Sequence, residues 1–182
     1  MVHCLTYDGI GIVGAKLLYP DQTIQHAGVI VGLKNLAAHW FYKEPKDTMG
    51  PNGRMAYRQT MTCVTGAVML ISKSCLDAVG AWDEEHFAVA YNDVDYCMRA
   101  RAAGYRCAWT PHAELYHHES ATRGLMKSWR DWWRFRGEKR ALKNIHKTRE
   151  FKDPALSLRF NRCNGPLRLN PKLTDIEPRR WY

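Results

Sequence analysis

No run of about 18 consecutive apolar residues occurs in this 182-residue chain, so no segment reads as a membrane-spanning helix. Cys-x-x-Cys pairs are missing too. Cys4, Cys63, Cys75, Cys97, Cys107 and Cys163 stand apart, most of them in apolar surroundings where a free thiol behaves as a small hydrophobe. The first residues carry no secretory leader pattern, and the chain is not small and loop-rich. Reduced thiols in a cytosolic setting are therefore expected. Internal repeats and low-complexity tracts are also lacking. Acidic residues are the scarcer charge, 18 against 27 basic, for a formal net charge of +9. That balance favours negatively charged partners: a nucleotide diphosphate, an anionic membrane surface or nucleic acid. No recognised nucleic-acid motif accompanies the charge, which argues against the last.

At 46% hydrophobic, the chain can bury one core and is expected to form one domain. Its seven Trp and nine Tyr can serve that core, a ligand platform or a membrane interface. Residues 1–6 read as the end of an amphipathic helix, 9–19 as a buried strand, 20–23 as a turn and 24–33 as a returning strand. His26 falls in that return and reads as a half-buried hairpin histidine. The polar segment 34–60 reads as a loop able to cover a site. Residues 61–72 form an apolar strand pattern interrupted by Thr65-Gly66, and a glycine there marks a bulge or the close approach of a ligand. A short helix over 74–79 stops at Gly80. From Asn92 as N-cap, Val94, Cys97, Met98 and Ala102 fall at helical spacing up to a stop at Gly104. Residues 105–109 and 113–116 read as extended segments on either side of Pro111. Ten Lys or Arg lie between Arg123 and Arg149, with Trp129, Trp132, Trp133 and Phe135 among them. This is a helix or helix pair, polar on one side and aromatic on the other. Residues 151–182, rich in Pro and Arg, read as a surface-wrapping tail.

Residues 82–120 hold the candidate chemistry. Asp93-Val94-Asp95 spells a metal–diphosphate pattern, but on a helix starting at Asn92 the two aspartates lie about 200° apart and cannot grip one ion. Asp95 has Arg99 four residues on and reads as a helix-surface ion pair. Asp93 reads either as a first-turn carboxylate that favours the helix or as a base at a pocket edge. His117-His118 follows a strand, so at most one of the two faces a site. A metal ligand, a phosphate contact and a surface residue all remain open there.

The stretches VGAKLLYPDQTIQHAGVIVGL (13–33), VTGAVMLISKSCLDAVGAWDEEHFAVAYNDVDYCMRARAAGYR (64–106) and TPHAELYHHESATRG (110–124) resemble the family 2 glycosyltransferases of the GT-A fold. The resemblance covers roughly residues 1–160 and is strongest to the rhamnosyltransferase-like branch that builds cell-surface polysaccharides. It implies an α/β fold: a partial, Rossmann-like GT-A domain at 1–122 lacking its N-terminal nucleotide-binding half, followed by a basic, Trp-rich helical extension at 123–182. It implies Asp93 as catalytic base, with Asn92 where the family usually has Glu or Asp, and His117 as a metal or diphosphate contact. Thr65, Gly66 and Ala67 match the segment lining the sugar and acceptor subsites. Trp82, Asp83 and Glu84 match the turn beside the acceptor. The complete enzyme is expected to use a divalent cation, Mg²⁺ or Mn²⁺, a nucleotide-sugar donor and a saccharide or lipid-linked acceptor. The chain alone is expected to be inactive, working with a missing half or a second copy, in the cytoplasm or at the inner face of the cell membrane. A non-catalytic module that binds an acceptor or a membrane surface is the alternative.

Overall fold

A computed structural model of the protein describes residues 1–118 and 128–157. Its centre is β1 (Ile10–Leu18), buried along its whole length. One edge of β1 pairs antiparallel with two short strands, β2 (Ile24–His26) and β6 (Met69–Ile71). Its other edge runs parallel to β7 (Arg106–Tyr116), which pairs in turn with β5 (Gln59–Met61). A strand buried on both faces needs a near-continuous apolar run, and Ile10–Leu18 supplies one. The result is the mixed α/β class expected from the sequence.

The returning strand does not run through to residue 33. Gly28 adopts φ +99°, a conformation that strongly favours glycine, and the chain breaks there. β2 stays with β1, while β3 (Val29–Val31) leaves to pair with β4 (Ala37–His39). The segment expected to be an open loop therefore contains a strand, as well as a 3-10 turn over Pro51–Ala56. Alternation over so few residues is too short to show in the sequence. Residues 61–72 are likewise not one strand, because β5 ends at Met61 and β6 begins at Met69. The opposite happens at Pro111. The two expected segments are a single strand, β7, whose register to β1 slips between Ala15↔Thr110 and Lys16↔Glu114. A bulge of this kind accommodates a proline.

Helix α1 (Lys73–Val79) is capped by the Ser72 hydroxyl and ends at Gly80. Helix α2 (Asn92–Ala102) carries the candidate base, and α3 (Trp129–Ile145) opens with a capping box between Ser128 and Asp131. Among the described residues the basic region thus forms one helix rather than a pair. It shares the core with the sheet: Leu142 is fully buried and lies in the same cluster as Ile12 and Val94. Burying a leucine in this way contributes about 2 kcal/mol. Residues 151–157 are not a surface wrap. Leu156 enters the core, and the buried Asp153 carboxylate accepts hydrogen bonds from Val31 N, Thr62 Oγ1 and Ala155 N at 2.7–2.8 Å. Burial raises the Asp153 pKa from its ordinary value, with those three donors opposing the shift. The later part of the expected tail lies outside the described residues.

Candidate active site

The N-cap of α2 is Tyr91 rather than Asn92. Tyr91 takes a left-handed conformation at φ 62°, unusual for a bulky residue, and stacks its ring on Phe135 of α3. Asn92 becomes the first helical residue, and its Oδ1 accepts from Asp93 N at 2.8 Å. Asp93 then uses both carboxylate oxygens. Oδ1 accepts from Val94 N at 2.8 Å, and Oδ2 accepts from Gly66 N at 3.0 Å.

Gly66 thus meets the helix start directly. A β-carbon at this position would lie 3.3 Å from Asp93 Cβ, which explains a glycine here by close approach. Cysteines stitch the same loop to α2 on both sides. Cys63 Sγ donates to Val94 O, and Cys97 Sγ donates to Val64 O. The described cysteines, Cys4, Cys63, Cys75, Cys97 and Cys107, are all free and buried. Ala67 N donates to Thr65 Oγ1, which closes the turn at 65–67. The sequence-predicted Thr65, Gly66, Ala67, Asn92 and Asp93 therefore form one contiguous group.

The other aspartate goes elsewhere. Asp95 is buried, not on the helix surface, and is gripped by Arg99 Nε and His146 Nε2, each at 2.8 Å. The second partner lies 51 residues away, beyond α3, where no local pattern could reveal it. Glu138 plays a similar part. Its buried carboxylate accepts from Val89 N and Ala90 N, fixing the approach to α2.

Trp82 and Asp83 have partners of their own. Trp82 lies against Tyr96 with ring centroids 4.5 Å apart, and Asp83 accepts from the backbone and ring of His86. The His86 backbone bond first, against a small burial penalty, holds the Asp83 pKa below its ordinary value. Glu84 is exposed. Among the described residues, no hydrogen bond joins residues 82–84 to Asp93.

His117 follows β7, and its backbone N–H donates to Leu18 O. Its Nδ1 lies 2.7 Å from Gln25 Oε1, an oxygen that can only accept, so the Nδ1 proton is donated and Nε2 carries the lone pair of the neutral ring. Gln25 and His26 are neighbours on β2 and point to opposite faces. His117 thus approaches that strand on the face opposite the Thr65 loop. His118 is exposed.

His26 is the main residue whose place the sequence misjudged. It is fully buried, not half-buried, and its Nε2 accepts from Thr65 N at 3.3 Å. Burial first, and then neighbouring His39, lower its pKa well below the usual 6.5. The sign of the pH effect follows. The unfolded chain takes up this proton near pH 6.5, while the folded chain resists it. The contribution to stability is complete above that pH and is lost as pH falls. Urea unfolding should show a loss approaching about 1.4 kcal/mol per pH unit from this group between pH 6.5 and its lowered pKa, and His26→Gln should flatten it.

No group of three or more His, Cys, Asp or Glu among the described residues could hold a metal ion. The divalent cation implied by the family resemblance has no such group among the described residues.

A mixed α/β domain thus presents a helix-start carboxylate against a loop amide. The chain belongs to the glycosyltransferase-like family 2, whose family model matches residues 12–164. It is 46% identical to the uncharacterized protein y4gI of Sinorhizobium fredii over 155 residues, 85% of this chain and 17% of that protein. It is 37% identical to the O-antigen biosynthesis protein RfbC of Myxococcus xanthus over 115 residues, 63% of this chain and 9% of that protein. The chain thus spans less than a fifth of the length of these curated relatives. No solved structure gives a significant match to it.

Proposed function

We propose that this chain serves the transfer of a sugar from a nucleotide-sugar donor to a hydroxyl acceptor, with inversion at the anomeric carbon, in cell-surface polysaccharide synthesis. Family membership and similarity to a protein named for O-antigen biosynthesis support the class and the setting. The observation that carries the chemistry is the Asp93 carboxylate, held at the first turn of α2 by Gly66 N–H.

In this reading Asp93 takes the proton of an acceptor hydroxyl as its oxygen bonds to C1 of the donor sugar. The bond from C1 to the diphosphate oxygen breaks, and the nucleoside diphosphate leaves with the electron pair. Thr65, Gly66, Ala67 and Asn92 surround the reacting hydroxyl. Trp82, Asp83 and Glu84 supply the outer acceptor contact, and His117 the diphosphate side. The test is to add the chain to a membrane extract from the source strain lacking its gene and supply a panel of labelled nucleotide sugars. Restored incorporation that is lost with Asp93→Asn is expected. Equal restoration by that variant overturns the assignment.

A second partner is favoured by α3. Trp129, Trp132 and Trp133 are 70%, 46% and 60% exposed, and the Arg136 guanidinium lies over the last two rings. Exposed tryptophan interleaved with arginine suits an anionic membrane interface. The chain is expected to float with liposomes containing phosphatidylglycerol and to lose most of that binding when Arg130, Arg134, Arg136 and Arg140 are changed to Glu. Binding retained by that variant counts against an electrostatic membrane role. No helix among the described residues is long and apolar enough to cross a membrane.

A further inference from the structure

We infer that His26 is a positioning residue for the Asp93 site, acting through a hydrogen-bond chain whose direction is fixed by the Thr65 amide. The inference rests on the reading of Asp93 as the base and adds the buried group that sets the loop holding it.

A backbone N–H can only donate. His26 Nε2, 3.3 Å from Thr65 N, must therefore present its lone pair. The proton of the neutral ring then sits on Nδ1. That atom lies 2.9 Å from His39 Nδ1, which must accept, so the His39 proton is carried on Nε2. One amide thus determines two tautomers, and the chain runs Thr65 to His26 to His39. The next amide of the same loop, Gly66 N–H, donates to Asp93 Oδ2. Consecutive amides are held by a buried imidazole on one side and by the candidate base on the other.

The same chain couples the site to the surface. His39 is exposed at the end of β4, and its ring stacks against Tyr42. Tyr42 meets Tyr19, and Lys43 lies over the Tyr19 ring. His26 itself faces His39 from β4 and the Thr65 amide from the loop, and among the described residues His39 is the titratable neighbour that bears on its protonation. A proton added at His39 Nδ1 would confront the Nδ1–H of His26. His26 could yield only by carrying its proton on Nε2, where it would confront Thr65 N–H. In the second case the loop loses a partner one residue from the amide that holds Asp93.

The test is NMR on the full chain, needing no substrate. Long-range ¹⁵N–¹H spectra at pH 8 should show His26 protonated at Nδ1 and His39 at Nε2. His26→Leu, which keeps bulk without an acceptor, should speed amide exchange at Thr65 and Gly66 by about tenfold relative to β1 amides, and His26→Gln should restore most of the protection. The exposed variant His39→Phe should shift the His26 Nδ1 and Thr65 amide signals without unfolding the chain. An Nε2-protonated His26 overturns the inference whether or not any variant folds. So does a folded His26→Leu with unchanged exchange at Thr65 and Gly66. A purely structural His26 would speed exchange across the core and would not be rescued selectively at these two amides. Transfer by Asp93→Asn decides the base separately, so either reading can fail while the other stands.

Discussion

Asp93→Asn is expected to lower sugar transfer by about 10²–10⁴-fold in the restored extract, the range lost with a general base. In barrier terms this is about 3–5 kcal/mol. The loss should fall mainly on kcat, because proton removal occurs only in the transition state. The substitution also has a structural cost. Asp93 accepts from Val94 N with one oxygen and from Gly66 N with the other, and an asparagine offers only one acceptor. Its amide group would confront one of the two N–H donors, and because water reaches Gly66 the cost stays near the low end, about 1 kcal/mol. Transfer and stability must therefore be measured together. A drop in activity that tracks unfolding, and recovers at lower temperature, would place Asp93 among structural residues. A drop that persists in fully folded protein identifies it as the base.

What the sequence revealed and what it hid divide along contact distance. Local features were legible. The apolar run of β1, the short helix stopped by Gly80 and the helix of Asn92–Ala102 all depend on neighbours within a few residues. The glycine at 66 was legible as a constrained position, but the group that approaches it is the Asp93 side chain rather than a ligand. Long-range pairing was not. Asp95 read as an exposed partner of Arg99 because i,i+4 spacing is visible, whereas its contact with His146 spans 51 residues. His26 read as half-buried because a hairpin position says nothing about which loop will cover it. Short strands such as β3 and β4 lie below the length at which alternation can be told from chance. The family motifs helped for a related reason. They report an ordered set of positions jointly, and so located Asp93 and the 65–67 segment together without showing the hydrogen bond that connects them.

Asp95→Ala should be the most damaging single substitution for stability, lowering it by about 3–5 kcal/mol as expected for removing one side of a buried ion pair. Asp95 is 1% exposed and accepts from two donors on different elements, Arg99 within α2 and His146 just beyond α3. Without it, the part-buried His146 ring loses its carboxylate partner. Among the described residues, the Arg99 guanidinium keeps its hydrogen bond to the Val79 carbonyl and its place over the Tyr96 ring. A domain of this size has about 5–15 kcal/mol in total, so the variant should sit near its unfolding midpoint in low urea. The damage should also be directional. Hydrogen exchange should rise first in 128–157, because His146 and Leu142 are neighbours in the attachment of α3 to the body. If α3 loosens, Glu138 releases Val89 and Ala90, and the turn that leads into Asn92-Asp93 loses its support. The two aspartates two residues apart would then give opposite signatures. Changing Asp93 removes transfer from a folded protein, whereas changing Asp95 removes transfer only as far as it releases the C-terminal segment. Lower temperature or a stabilising osmolyte should rescue the second and leave the first unchanged.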